Sequence, residues 1–168
     1  MIMIRRGGPD DFDAMMRFFD GAVEWLSRRG SAGQWGTEPW SGNPARVEQV
    51  RAMAANRELY FADVDGEPAG GIILDPAPPG HVPAADEPEI YIGWLITSRE
   101  HTGKDVGGRL IRFALEEAGR RGIGLVRVDC WAGGDGDLVR YYEGQGFKPT
   151  VQFDRDGWIG QVFEQRLP

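Results

Sequence analysis

Apolar residues recur at spacings of three and four between Phe12 and Leu26, at Phe12, Met15, Met16, Phe19, Val23 and Leu26, which places them on one face of an α-helix. Pro9 and the Asp10–Asp11 pair stand where that helix should start, and Arg28, Arg29 and Gly30 where it should stop. Ahead of it, Met1 to Arg6 alternates and predicts a first strand. A loop, GSAGQWGTEPWSGN, follows, and Asn43–Pro44 reads as the cap and first residue of a second helix ending near Arg57.

From Glu58 the period shortens. ELYFADV and PAGGIIL read as two strands joined by an Asp65–Gly66 turn. DPAPPGHVPAADEP carries five prolines and reads as an exposed connection. EIYIGWLIT is then a strand, Val106 to Arg121 a helix with Gly122 as its C-cap, and GLVRVDCWA a strand. A short helix over DLVRYYEGQ, a strand at FKPTVQF and a last strand at WIGQVFEQRL complete the chain. The expected order is strand, two helices, three strands, helix, strand, helix, two strands, in one domain over residues 1–168 with no internal repeat.

Composition narrows the function classes. At 168 residues, 41% hydrophobic and 27% charged, the chain has the make-up of a soluble globular domain. No apolar run approaches the roughly 20 residues of a membrane span, and the start lacks a signal peptide's apolar region. A net charge of −7 argues against nucleic acid and favours cationic partners. The lone Cys130 excludes an internal disulfide and suits a reducing cytoplasm. No His, Asp or Glu spacing suggests a metal.

The stretch SREHTGKDVGGRLIRFALEEAGRRG carries the first chemistry. A polar loop with Gly103, Gly107 and Gly108 runs into an amphipathic helix whose Leu110, Ile111, Ala114, Leu115 and Ala118 face inward. A helix N-terminus presents free amides and a positive dipole end, glycines allow close approach, and Lys104 adds charge: together these suit a phosphate. A plain glycine-lightened strand-to-helix connection would look the same. No Walker or dinucleotide fingerprint is present.

Thr102-Gly103-Lys104-Asp105-Val106-Gly107 resembles the Q/R-x-x-G-x-G/A loop of the GNAT superfamily of acyl-CoA-dependent N-acetyltransferases. DGDLVRYYEGQGF is similar to that family's N-x-x-A-x-x-x-Y-E-x-x-G-F segment, with Tyr142, Glu143, Gly146 and Phe147 in place. WLSRRGSAGQW is similar to one bacterial branch. The resemblance covers nearly the whole element order. It implies an α/β fold, GNAT-like, around a mostly antiparallel twisted sheet of six to seven strands splayed in the middle, with about four helices.

It also implies a ligand and a reaction. The ligand is acetyl-CoA, held as acyl donor by main-chain groups of Leu95, Ile96 and Thr97 and of the loop Thr102, Gly103, Lys104, Asp105, Val106, Gly107 and Gly108. Gly93 would let the preceding strand bulge toward the ligand, or would serve packing beside Trp94. The acceptor is a small-molecule or peptide amine, cationic if the acidic balance guides it. Three positions depart from the pattern: Thr102 for Arg or Gln, Asp105 for Gly, and Asp135 for Asn. Asp105 would cap the helix and cost a pyrophosphate about 1 kcal/mol. Asp135 would still cap the short helix while losing the amide donor offered to pantetheine.

Tyr142 is the candidate acid, since a phenol is protonated at neutral pH and can give its proton to a leaving thiolate. Its alternative is a half-buried aromatic capping a backbone group, and Tyr141, about 100° around the helix, reads as packing. Glu89 resembles a glutamate base found at this offset in family members that acetylate lysines, or is a solvated carboxylate beside Asp86 and Glu87. Trp35, Glu38 and Trp40 would line the acceptor pocket, or the tryptophans would anchor the loop. His81 and His101 read as exposed and Cys130 as a packed thiol. The alternative to a transferase is a CoA-binding sensor of the same fold. The C-terminal strand edge could pair with a second copy.

Overall fold

Strand β1 (Ile2–Arg6) pairs antiparallel with β2 (Leu59–Val64), which pairs antiparallel with β3 (Glu67–Asp75). The β2–β3 turn is Asp65–Gly66, at φ 51° and 86°, as the left-handed preference of Asp-Gly predicts. The computed structural model describes residues 1–31 and 33–168; Ala32, inside the loop after the first helix, lies outside the described residues.

Two compact units are present, Met1–Ile73 with Trp94–Leu110, and Leu74–Gly93 with Ile111–Pro168. In the first, a 3₁₀ turn at Pro9–Asp11 leads into α1 (Phe12–Arg28), and α2 spans Pro44–Asn56. The Asn43 carboxamide accepts from the amides of Ala45 and Arg46 at 3.0 and 3.3 Å, so the predicted cap is made. The predicted face of α1 is buried except at Phe12, which is partly buried. It packs with Phe61, Ile73 and Trp94.

Gly71 is a tight point of this core. A Cβ there would stand 2.5 Å from Cζ3 of Trp94 and 3.0 Å from Cε1 of Phe61. Gly71→Ala is expected to destabilise the protein by about 1–3 kcal/mol, read as a lowered melting midpoint.

β4 (Ile90–Thr97) divides between the units at Gly93, and α3 (Val106–Arg120) at Leu110. In the second unit β4 runs parallel to β5 (Leu125–Trp131) from Ile90 to Ile92. α4 spans Asp137–Gly144, and β6 (Lys148–Arg155) and β7 (Trp158–Arg166) form an antiparallel hairpin with β7 against β5. The strand order is β1-β2-β3-β4-β5-β7-β6. This seven-stranded, mostly antiparallel sheet with four α-helices among the described residues is the expected fold class.

Two expectations need correction. The C-terminal strand β7 lies between β5 and β6, so the strand edge here belongs to β6. β6 carries Pro149 and a mostly exposed face, both features of an edge strand. The proline-rich connection is not wholly exposed either: Val82 is buried with Tyr91 and Val162, and the His81 ring stands 4.6 Å from that of Phe153. Among the described residues no helix is long and apolar enough to cross a membrane.

Candidate functional site

The turn before α3 is built by local hydrogen bonds. The Ser98 hydroxyl accepts from the Glu100 amide at 3.2 Å and opens a 3₁₀ turn over Arg99–His101. The Thr102 hydroxyl donates to the Arg99 carbonyl at 2.8 Å, and the Lys104 amide to the His101 carbonyl at 3.3 Å. Gly103 has φ 87° and Asp105 has φ 56°. Asp105 thus adopts the left-handed conformation for which glycine is favoured, and aspartate is among the few other residues that tolerate it. The departure from the family pattern is compatible with the backbone.

The helical ladder begins with the Arg109 amide donating to the Asp105 carbonyl at 3.0 Å. Asp105 is therefore the N-cap, and the amides of Val106, Gly107 and Gly108 lie ahead of the ladder. The Asp105 carboxylate folds back over Gly108, filling the space that a Cβ there would need. Thr102, Gly103, Lys104 and Asp105 are exposed, Val106 and Gly108 buried. In β4, Ile96 is buried while Leu95 and Thr97 are half-buried. His101 is not the exposed side chain expected: it retains 11% of its accessibility, its Nε2 is 3.9 Å from Glu67, and its Nδ1 is buried without a partner among the described residues.

The first unit also holds the tryptophans of the α1–α2 loop. Trp40 stacks on Phe19 with ring centres 4.0 Å apart and planes 7° apart, and the Arg46 guanidinium sits 4.2 Å from its centre. Both faces of Trp40 are covered, so this residue anchors the loop in the core. Trp35 lies 5.4 Å from Phe19 and 6.0 Å from Trp40 and is half-buried, whereas Glu38 is exposed. Trp94, 5.7 Å from Phe19, keeps a buried indole N–H that has no partner among the described residues.

In the second unit Tyr142 is the buried residue of α4, packed against Phe147 and Phe163. Burial, with Cys130, Tyr141 and Asp129 nearby, drives its pKa well above the usual phenol range, so the group is a proton donor only. Its hydroxyl has no hydrogen bond among the described residues, unlike the backbone-capping alternative. Tyr141 packs edge-on against Tyr142, as expected, while keeping 38% of its accessibility. The Asp135 carboxylate accepts from the Asp137 amide at 3.1 Å, while Gly136, at φ 80°, takes the N-cap position expected of Asp135.

Glu89 is not a solvated carboxylate. It is 5% exposed, and both of its oxygens are bound by Arg127, at 2.7 Å from Nε and 2.8 Å from Nη2. A carboxylate held in such a fork has its lone pairs engaged and is a poor general base. Arg127 is held further by the Pro83 carbonyl at 3.1 Å. Cys130 is buried, and that burial with Asp129 alongside pushes its thiol up to about 12, as a packed and unreactive thiol should be.

One acidic group escapes a reading of the sequence. Asp129, within the apolar run of β5, accepts a hydrogen bond from the Tyr91 hydroxyl. Burial raises its pKa, and the Tyr91 bond lowers it part of the way back. The only signal was an aspartate inside GLVRVDC.

Comparison with known proteins agrees with this fold. The sequence pattern of the acetyltransferase (GNAT) family matches residues 21–147. No curated protein matches the chain. Among solved structures it is similar to a GNAT-family acetyltransferase from Listeria monocytogenes, with TM-score 0.68 and 18% identity over 99% of this chain and 95% of that one. It is similar to yncA from Salmonella typhimurium, solved with its cofactor acetyl-CoA, with TM-score 0.66 and 17% identity over 100% and 95% of the two chains. It is also similar to the PaiA N-acetyltransferase from Thermoplasma acidophilum in complex with coenzyme A, with TM-score 0.63 and 18% identity over 99% of each. At these identities the likeness speaks for the fold.

Proposed function

The chain belongs to the acetyltransferase (GNAT) family, and on that premise we propose that it moves an acetyl group from acetyl-CoA to a primary amine of a small molecule or peptide, directly within a ternary complex. The observation that carries this reading is the turn before α3, where Gly103 and Asp105 take positive φ and three first-turn amides stand ahead of the helical ladder. That donor set fits a diphosphate: oriented N–H groups, a dipole end and Lys104. Bound acetyl-CoA would supply the thioester whose carbonyl carbon the amine attacks.

The chain's own residues divide the remaining work. Main-chain groups of Leu95, Ile96 and Thr97 orient the donor, and the amides of Val106, Gly107 and Gly108, ahead of the helical ladder, grip its diphosphate. Tyr142 Oη, protonated and without a hydrogen bond among the described residues, gives a proton to the leaving sulfur. Glu89 holds Arg127 and takes no proton. On the acceptor side Trp35 and Glu38 contribute from the α1–α2 loop, and Trp40 supports them. A second reading, a CoA-binding sensor, draws on the Asp105 carboxylate folded over the helix N-terminus, where it competes with a phosphate.

Calorimetric titration with acetyl-CoA, followed by thiol release across a panel of amines, separates the two. Binding with release on at least one amine supports the transferase. Binding with no release on any amine supports the sensor, and no binding removes both. Asp105→Gly is expected to tighten acetyl-CoA binding by up to about tenfold, roughly 1.4 kcal/mol. Unchanged affinity would mean that the carboxylate lies out of the ligand's way.

A further inference from the structure

The second unit holds a carboxylate for which the reaction just described has no use. Along β5, Val126, Val128 and Cys130 fall on one face, and Arg127, Asp129 and Trp131 on the other. β7 places Val162 beside Asp129, and Val162 packs with Val82, Tyr91 and Phe153. Asp129 is thus set among apolar groups, with the Tyr91 hydroxyl on Oδ2. No arginine, lysine or histidine forms an ion pair with it among the described residues. Arg127, on the same face, is committed to Glu89, and it stands 5.5 Å over the Tyr91 ring.

One neutral donor does not offset the cost of burying a negative charge. Asp129 is half-buried, and its Oδ1 is neither hydrogen-bonded nor sealed off among the described residues, so that oxygen is open to a donor from a ligand. The groups that face it are Tyr91 with the Glu89–Arg127 pair, His81 from the proline-rich connection, and Arg155 from β6. Cys130 and Tyr142 also feel its charge. His81 and Arg155 act on it only through space. The group that fits this oxygen is a compact cation that can hydrogen-bond to it, with an apolar body to match the surrounding Val82, Val162 and Phe153.

We propose that Asp129 is the acceptor subsite: its Oδ1 binds the protonated primary amine of an acceptor with an apolar body and takes one proton from it, while Tyr91 positions the carboxylate through Oδ2. This rests on the transferase reading and names its substrate class, an alkyl- or arylalkylammonium. Nitrogen loses two protons as the new C–N bond forms and the C–S bond breaks. One passes to Asp129 Oδ1 and on to solvent; the other replaces the proton that Tyr142 gives to the sulfur. Asp129 is then a catalytic residue and Tyr91 a positioning residue.

The test uses the full chain, with benzylamine as probe and benzyl alcohol as its uncharged counterpart. Calorimetry is expected to show wild type binding benzylamine in preference to the alcohol. Asp129→Asn should weaken benzylamine at least about tenfold while acetyl-CoA binding is retained, which also reports an intact fold. Tyr91→Phe removes a hydrogen bond that favours the carboxylate, so the acid limb of kcat/KM should move to higher pH. Should Asp129→Asn fail to fold, that limb carries the test.

Equal benzylamine affinity in wild type and Asp129→Asn, an unmoved limb in Tyr91→Phe, or a wild type that binds no benzylamine would each overturn the assignment. Benzylamine bound through Asp129 without thiol release on any amine keeps the subsite and removes the transferase reading. Transfer that Asp129→Asn leaves intact does the reverse.

Discussion

Tyr142→Phe is expected to lower kcat about 10²–10³-fold while changing stability by no more than about 0.5 kcal/mol. The two halves of this expectation have separate causes. The ring is packed against Phe147 and Phe163, and phenylalanine keeps those contacts. The hydroxyl has no hydrogen bond among the described residues, so its removal costs the fold nothing. What the proposed reaction would lose is its proton donor. Because burial holds the phenol protonated far beyond neutrality, Tyr142 should add no alkaline limb to the rate profile below pH about 10. Stopped-flow thiol release and thermal melting measure the two halves independently. A variant as fast as wild type removes Tyr142 from the mechanism, and one that melts much lower gives it a structural task.

The largest stability effect is expected at Arg127. Its side chain retains 11% of its accessibility and that of Glu89 retains 3%, so the pair is buried. Arg127→Leu leaves the Glu89 carboxylate buried without a counter-charge, at a cost of about 3–5 kcal/mol. For a chain of this size that lowers the melting midpoint by about 6–20 °C. The double variant Glu89→Met/Arg127→Leu removes both charges and should recover most of the loss, because a buried ion pair repays little more than its own desolvation. The comparison isolates the stranded charge from the lost packing over Tyr91. A single variant that melts like wild type would mean that Glu89 is open to water or to another cation.

Periodic elements were legible because one physical signal decided them. The stripe from Phe12 to Leu26 has only one way to be buried, and Asp65–Gly66 offers a backbone suited to a hairpin. The same dipeptide at Asp156–Gly157, at φ 54° and 89°, makes the β6–β7 hairpin. Pro149, which cannot donate to a ladder, marks β6 as the edge, although β7 ends the chain.

Side-chain partners were harder to read. Glu89 follows Asp86, Glu87 and Pro88, which together suggest solvent, yet its partner Arg127 lies 38 positions on. Asp129 is hidden for the same reason: its partner Tyr91 is on another strand, and an acidic residue in an apolar strand gives no clue to which face it takes. Asp105 is the opposite case. Its neighbours suggested electrostatic trouble for a phosphate, whereas its backbone angle gives a steric reason for an aspartate at that position.

The central claim concerns main-chain nitrogen atoms at the start of α3. A crystal structure of the chain grown with coenzyme A tests it most directly. The account predicts diphosphate oxygens about 2.7–3.2 Å from the amides of Val106, Gly107 and Gly108. A diphosphate bound elsewhere, or a turn whose first-helix amides stay closed by the Asp105 carboxylate at saturating coenzyme, would contradict it.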